Sequence, residues 1–368
     1  MKLKKILSVC LLASAVCVFL QPVRVMADET EGQTVIGYEN LKELLKEGNQ
    51  SLKSSYDSYY DNVKMYEEMR DTLKWEQLNL EGKADQLKDT DAATASMYES
   101  NAAQLKNSSS QLNKQIKSMN EEKSLKSLER SANAMTITAQ SLMNSYNQMA
   151  CRLEAGRKSA EAQRSAYSSA LLKQGMGAAT QAEVLAAEKS LNQAENSLAS
   201  LEENVARLRE QLLSLLGIED SGAVVIGTIP EPDLAAIDAI DFAADQVKAV
   251  NNNSSVQTVR HGSAKSTASR SMKQKNEETA VGEASISIES TYQTLLSKRA
   301  EYQAALEAFE SAAIQYETLK KRQAAGMTGN TAYLQGEAAF LEKKAAKEIA
   351  GMALYQAYEA YHWEVKGY

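Results

Sequence analysis

From Pro22 to Pro230 the chain runs for roughly 200 residues without a proline, the residue that most effectively breaks a helix. Long helices are the use such a stretch serves. Composition agrees: only 6% of residues are aromatic, and Ala, Ser, Leu, Glu, Lys and Gln dominate, as in coiled coils and extended bundles rather than around one thick core. The strongest periodicity follows Thr180, where Val184, Ala187, Leu191, Ala194, Leu198 and Leu201 open a series that continues to Leu215. Spacings of three and four alternate along it without a lapse, which is a heptad seam on one helix face. The seam stops at Gly217. The β-branched segment 223–230 that follows ends on Pro230 and predicts a short strand or an extended linker, and helical character resumes at Leu234.

The chain repeats itself. At an offset of about 149 residues Gly177 falls on Gly326, Val184 on Tyr333, Leu185 on Leu334, Glu188 on Glu337 and Leu191 on Phe340. Upstream, the run 43–52 echoes 245–256: each has an apolar helical turn, an Asn cluster and a resumed helix. Each half therefore reads as an outgoing helix, a long returning helix, a glycine-bearing turn and a third helix. In the first half the return spans residues 92–173, about 80 residues or roughly 120 Å of helix. Flanking helices over 38–86 and 180–216 together match it when laid end to end. The first reversal falls at about 86–97. In the second half the same balance places the reversal near Arg260–Ser263, whereas the echoed Asn253 and Tyr292 place it nearer Met272–Asn276; the sequence supports both.

The amino terminus has the form of a secretory signal: Lys2, Lys4 and Lys5, an apolar run from Ile6 to Leu20, and Val25-Met26-Ala27 before Asp28. At about 15 residues the run is short for a bilayer span, and cleavage after Ala27 is the expectation, with an uncleaved anchor as the alternative. Removing residues 1–27 deletes four basic groups and no acids, moving the net charge from −7 to −11. Nucleic-acid binding is not expected of such a chain. Cys151 would be the sole remaining cysteine, so no intrachain disulfide forms, and it reads as a buried helix thiol. No later segment approaches membrane-spanning length. The domain reading is residues 1–27 signal peptide, 28–222 first helical repeat, 223–233 extended Pro-containing linker and 234–368 second helical repeat.

At the glycine turns, Leu172-Lys173-Gln174-Gly175-Met176-Gly177-Ala178-Ala179-Thr180 leads into Val184-Leu185-Ala186-Ala187-Glu188 and closes at Leu215-Leu216-Gly217. This resembles the repeat signature of TolC-family outer-membrane efflux proteins, and a second, weaker copy runs from Gly326-Met327-Thr328-Gly329-Asn330 to Gly367. The resemblance covers nearly all of residues 38–368. It implies an all-α protomer of long antiparallel coiled-coil helices in two tandem repeats, three of which assemble a tubular α-barrel. It further implies that the glycine turns form a tip that meets the helical hairpins of a periplasmic adaptor (membrane fusion) protein serving an ABC-type or similar inner-membrane transporter. On that basis Gly175, Met176, Gly177, Ala178 and Thr180, with Gly326, Met327, Thr328, Gly329 and Asn330, are the candidate partner-binding residues. Glycine suits such turns because it takes φ > 0 where antiparallel helices reverse, and Thr180 or Asn330 is placed to cap the next helix. The family's β-barrel hairpins have no counterpart: residues 82–126 and 260–279 are polar and helix-like, without the apolar lipid face of a membrane strand.

Catalytic and cofactor signatures are missing. His261 and His362 lie about 100 residues apart and read as a turn residue and a helix-packing residue; there is no HExxH, GxSxG, phosphate-loop or calcium-loop motif. The stripes Tyr56, Tyr59, Tyr60, Val63, Tyr66 and Tyr355, Tyr358, Tyr361 read as packing faces, with a polyphenol- or peptide-binding lumen as the alternative. The Ala- and Ser-rich stretch 155–170 lets helices approach closely. The function expected is a non-enzymatic, extracytoplasmic duct or sleeve that needs no cofactor or metal. The alternative is a secreted coiled-coil structural or regulatory protein of the cell envelope.

Overall fold

The computed structural model describes residues 34–120 and 123–368; the signal-peptide reading and its cysteines lie outside them. Two short strands, β1 (Thr34–Ile36) and β2 (Val224–Ile226), accompany a series of helices: α1 (Leu41–Gly48), α2 (Gln50–Leu87), α3 (Ala92–Asn120), α4 (Lys123–Gly175), α5 (Gln181–Leu216), α6 (Leu234–Asp238), α7 (Phe242–Asn252), α8 (Ser254–His261), α9 (Thr267–Ala324) and α10 (Asn330–Lys366).

The body is one layer of four long helices in the order α5, α4, α10, α9. The heptad seam of α5 packs antiparallel on α4, with Arg157–Glu202 at 3.3 Å and Arg164–Glu195 at 2.7 Å marking the register. Between α9 and α10 the register is carried by rings: Tyr316 stacks on Phe340 with centroids 4.6 Å apart, and the Tyr316 and Tyr333 hydroxyls are 3.1 Å apart. The two hairpins join through α4 and α10. Small residues of α4 make this possible, with Ala155, Ala160 and Ala162 all buried. Polar side chains fix the join: Asn144 Nδ2 donates to Met352 O at 2.9 Å, and the Ser165 and Thr331 hydroxyls are 3.0 Å apart.

Most large apolar side chains collect midway along this layer, where chain segments end and resume. β1 pairs in parallel with β2, Val35 opposite Val225, so part of the linker takes the first of the two forms read from sequence, a short strand, and its partner comes from the amino-terminal segment. Around them Ile36, Leu41, Leu45, Leu212 and Leu216 are completely buried, each contributing about 1.5–3 kcal/mol of transfer free energy. A matching cluster in the second repeat contains Ile288, Leu295, Leu354 and Tyr361. Glu129 ties the first cluster to its surroundings by accepting from Lys42, Lys46 and Tyr56 at 2.8 to 2.9 Å.

The duplication is visible in conformation. Gly217 and Gly367 both have positive φ, 68° and 89°, and both end a helix in the same way. Each donates to the carbonyl three residues back, and the following residue donates five back. That is the Schellman closure, which the left-handed region permits without a Cβ penalty. Asn49 caps α2 by accepting from Leu52 N and also straps α5 by donating to Leu215 O at 2.8 Å. In the second repeat these two tasks fall to neighbours: Asn253 caps α8, and Asn252 donates to Val365 O at 2.8 Å.

The repeats diverge at the end opposite the glycine turns. The first reversal is at Lys88–Asp91, within the expected range, and the second is at Gly262–Ser266, the earlier of the two positions read from sequence; Met272–Asn276 lies inside α9. Consequently α8 has 8 residues where α2 has 38. Beyond the level of His261 the α2–α3 hairpin continues alone for about 45 Å of helix. It is held by one seam of Tyr59, Val63, Tyr66, Leu73 and Leu80 against Ala95, Ala102, Ser109 and Ile116. Residues 82–120 are therefore helix, turn and helix, where the family resemblance would place paired strands.

Candidate functional site

Both glycine turns lie at one end of the four-helix layer, because α4 and α10 run antiparallel with Ser165 beside Thr331. The first turn follows from local chemistry. Gly177, at φ 73°, donates to Gln174 O at 2.9 Å, and Ala178 donates to Lys173 O at 2.7 Å. In the second turn Gly326, at φ 70°, donates to Gln323 O at 2.9 Å and Met327 to Arg322 O at 2.8 Å. The two turns are copies of one Schellman closure, in the register given by the sequence repeat.

They restart their helices differently. Thr180 accepts from Glu183 N while Glu183 Oε2 accepts from Thr180 N at 2.7 Å, forming a capping box. Hydrogen bonding, first from the Thr180 N–H and then from its hydroxyl, holds the Glu183 carboxyl below the ordinary carboxylate range. At the second turn the expected Asn330 cap is not formed. Gly329 takes the N-cap position without a side chain to offer, and Asn330 is the first residue of α10. The extended backbone of Gly329, at φ −69° and ψ 154°, places Asn330 one residue too late to cap.

Gly175, Met176, Gly177, Ala178 and Thr180 are exposed, as are Gly326, Met327, Gly329 and Asn330, and Thr328 is half-buried. Met176 and Met327 are 74% and 79% exposed, so the end of the layer carries two flexible apolar side chains in solvent. Leu172, 70% exposed and not singled out from sequence, adds to this patch. Lys173, Lys321 and Arg322 surround the turns, giving a basic rim on an acidic chain.

Toward the middle of the layer, one face is a groove of about 820 Å³. All four helices line it, including Gln193 and Ser197 of α5, Ser159 of α4, Glu342 of α10 and Lys298 and Glu301 of α9. For the two outer helices to line the same groove, the layer must be concave on that side.

Neither histidine meets a catalytic partner. His362 packs edge-on to Tyr358 at 4.3 Å between centroids, and burial lowers its pKa. His261 is the last, exposed residue of α8. The Cys151 thiol is half-buried, points at Glu348 at 3.4 Å, and is pushed up to about 12 by burial and then by that carboxylate. Among the described residues no cluster of His, Cys, Asp and Glu could hold a metal ion, and no helix is long and apolar enough to cross a membrane. The tyrosine stripes pack as read, Tyr361 being fully buried and donating to Asp245 at 3.1 Å, except that Tyr60 is 58% exposed.

No family model and no curated protein matches the chain. Among solved structures it is similar to the outer-membrane channel OprN, at 11% identity over 90% of each chain with a TM-score of 0.47. It is also similar to a membrane protein from Pseudomonas aeruginosa, at 14% identity over 87% of this chain and 93% of that one with a TM-score of 0.45. A third is the outer-membrane protein VceC from Vibrio cholerae, at 11% identity over 66% and 72% with a TM-score of 0.44.

Proposed function

We propose that this chain is one wall segment of an extracytoplasmic, TolC-like duct, assembled from three copies and docked by its glycine-turn tips onto an adaptor of an ABC-type or similar transporter. The observation that carries this reading is the concave four-helix layer made of two duplicated hairpins, both of whose glycine closures emerge at one end. A hairpin protein that merely spaced two surfaces would have no need to curve. The groove mixes charged and polar side chains with alanines and the aliphatic Leu198, Leu201 and Ile349, with no pocket closed around a single ligand, which suits passage of solutes. Exposed Met176 and Met327, set in a rim of Lys173, Lys321 and Arg322, offer apolar anchors within a positive field, a combination suited to a helical partner with acidic residues near its own tip. Energy would come from the partner.

The test is the mass of the purified mature protein in solution, together with its binding to the adaptor encoded beside it. A trimer that binds the adaptor, and loses that binding when Met176 and Met327 are both changed to Asp, supports the reading. A strictly monomeric protein that ignores the adaptor ends it and favours a coiled-coil structural or regulatory role in the envelope.

A further inference from the structure

The isolated part of the α2–α3 hairpin has a second pair of stripes on its two backs, the faces turned away from the internal seam. On α2 this stripe is exposed throughout and includes Asp61, Lys64, Glu68, Asp71, Trp75 and Leu78, with Asp71 paired to Arg70 at 2.8 Å. Trp75 and Leu78 are 66% and 64% exposed, on the side of α2 away from its seam with α3. On α3 the corresponding stripe is Ser96, Ser100, Ala103, Asn107, Ser110 and Lys114, also exposed. The α2 back carries three acids against one lysine, with two bulky apolar side chains; the α3 back carries small or amide side chains and one lysine. From Ser58 to Leu87 the first helix has seven acidic and four basic residues, whereas α3 has one acidic and three basic.

The levels correspond. Counting away from the Lys88–Asp91 turn, Leu78 and Trp75 lie ten and thirteen residues along α2, and Ser100 and Ala103 lie nine and twelve residues along α3. Lys114 stands between the levels of Glu68 and Asp61 and at that of Lys64. Within one hairpin the two backs are separated by the width of two helices, about 20 Å, so they cannot meet each other. They can meet only between copies.

We propose that a second copy of this chain docks here head to tail, the α2 back of one hairpin against the α3 back of the next. Leu78 and Trp75 then lie over Ser100 and Ala103. Charge selects this arrangement: placing α2 against α2 opposes two acidic stripes, which a two-fold pairing would require. The acidity of the α2 back likewise disfavours an anionic lipid surface as its occupant. The inference rests on the multi-copy assembly of the proposed duct and adds a contact of its own. Above the level of His261 each copy supplies two helices where the body supplies four, so this contact closes the duct's far end on half as many helices.

The test uses the full mature chain in a Cys151→Ala background carrying Leu78→Cys and Ser100→Cys. A disulfide needs Cα atoms within about 7 Å, so this pair can bridge only between copies. Mild oxidation is expected to give dimers and larger species, at least tenfold more than either single variant or a pair set at different levels, Leu78→Cys with Lys114→Cys. Circular dichroism verifies that each variant is folded. Cross-linking of the Leu78→Cys single variant equal to that of the pair would overturn the head-to-tail arrangement, as would equal yields from the two pairs. Light scattering on the unoxidised chain separates the two readings: a multimer without the hairpin cross-link overturns this inference alone, and a monomer overturns it together with the trimeric duct.

Discussion

Gly177 and Gly217 have nearly the same backbone, φ 73° and 68°, yet alanine should affect them very differently. A Cβ at Gly177 would meet nothing within 4 Å, so the substitution costs only the left-handed conformation, about 1–2 kcal/mol, less the 0.4–1 kcal/mol gained by restricting the unfolded chain. The net is about 1 kcal/mol. A Cβ at Gly217 would instead collide with the backbone carbonyl of Gly48, which has no flexible end to swing aside. The carboxyl-terminal turns of α1 and α5 would have to separate, opening the contact among Leu45, Leu212 and Leu216, all 2% exposed or less. Such overpacking adds about 1–3 kcal/mol to the conformational cost. Hydrogen exchange at the amides of α1 and at residues 212–216 gives the local readout, since each 1.4 kcal/mol of destabilisation speeds exchange from the open state about tenfold. Gly217→Ala should accelerate these amides about tenfold or more and leave the distal hairpin unchanged. Gly177→Ala should leave them unaltered. The second repeat supplies a replicate, because Gly326 is open and Gly367 is blocked by the backbone of Asn252. If the two members of each pair exchanged alike, the equatorial glycines would not be serving close approach and the reasoning would fail.

Three further outcomes follow from particular contacts. Lys42, then Lys46, hold the Glu129 carboxyl at about 2, down from 4.5, so its contribution is fully present above pH 4.5 and is lost as pH falls toward 2. With that side chain about a third exposed, the contribution is about 1 kcal/mol after screening, and Glu129→Gln should flatten the acid limb of a urea-midpoint titration by that amount. Asn49→Ala removes both a cap and a strap and should cost about 2 kcal/mol in chemical denaturation, against about 1 kcal/mol for Asn252→Ala or Asn253→Ala, each of which removes one. Cys151, with its thiol pushed up to about 12, should react with a thiol reagent at pH 8 only after denaturant is added.

The helices and the duplication were legible because both depend on patterns that survive in a linear string. The glycine closures recur about 150 residues apart and the Asn cluster about 200 residues apart, and the structure assigns each a role in closing or capping a helix. Reversal positions were less legible. The turn Gly262–Ser266 has no distinctive signal beyond Gly262, and the competing landmark Tyr292 sits within a continuous helix. The strand at Thr34–Ile36 was missed because three residues are too few to show alternation, and its pairing with Val224–Ile226 is contact between distant parts of the chain. The Asn330 cap was misread for a different reason. Residue type favoured Asn, but where the helix begins was decided by the extended Gly329 before it.

The asymmetry in what surrounds the glycines explains why one end of the layer is written more strongly in sequence than the other. At Gly217 and Gly367 two demands coincide, a left-handed backbone and a neighbouring carbonyl where a Cβ would be, so no other residue fits without moving a helix. At Gly177 and Gly326 only the first demand operates, and the surrounding side chains are in solvent. The turns there can vary: Met176 precedes its glycine and Met327 follows its own, and one turn restarts on a capping box while the other does without a side-chain cap. Yet both present an exposed methionine. If only chain reversal mattered, small polar side chains would serve at lower cost in exposed apolar surface. Two turns that differ in local chemistry but agree in presenting Met are what the proposed docking role calls for. For this reason the double Met176→Asp, Met327→Asp variant is the informative one: it should leave the urea midpoint within about 0.5 kcal/mol of the parent, as surface substitutions do, while abolishing adaptor binding. A large loss of stability would mean that the methionines pack, and that the tip is a structural closure and nothing more.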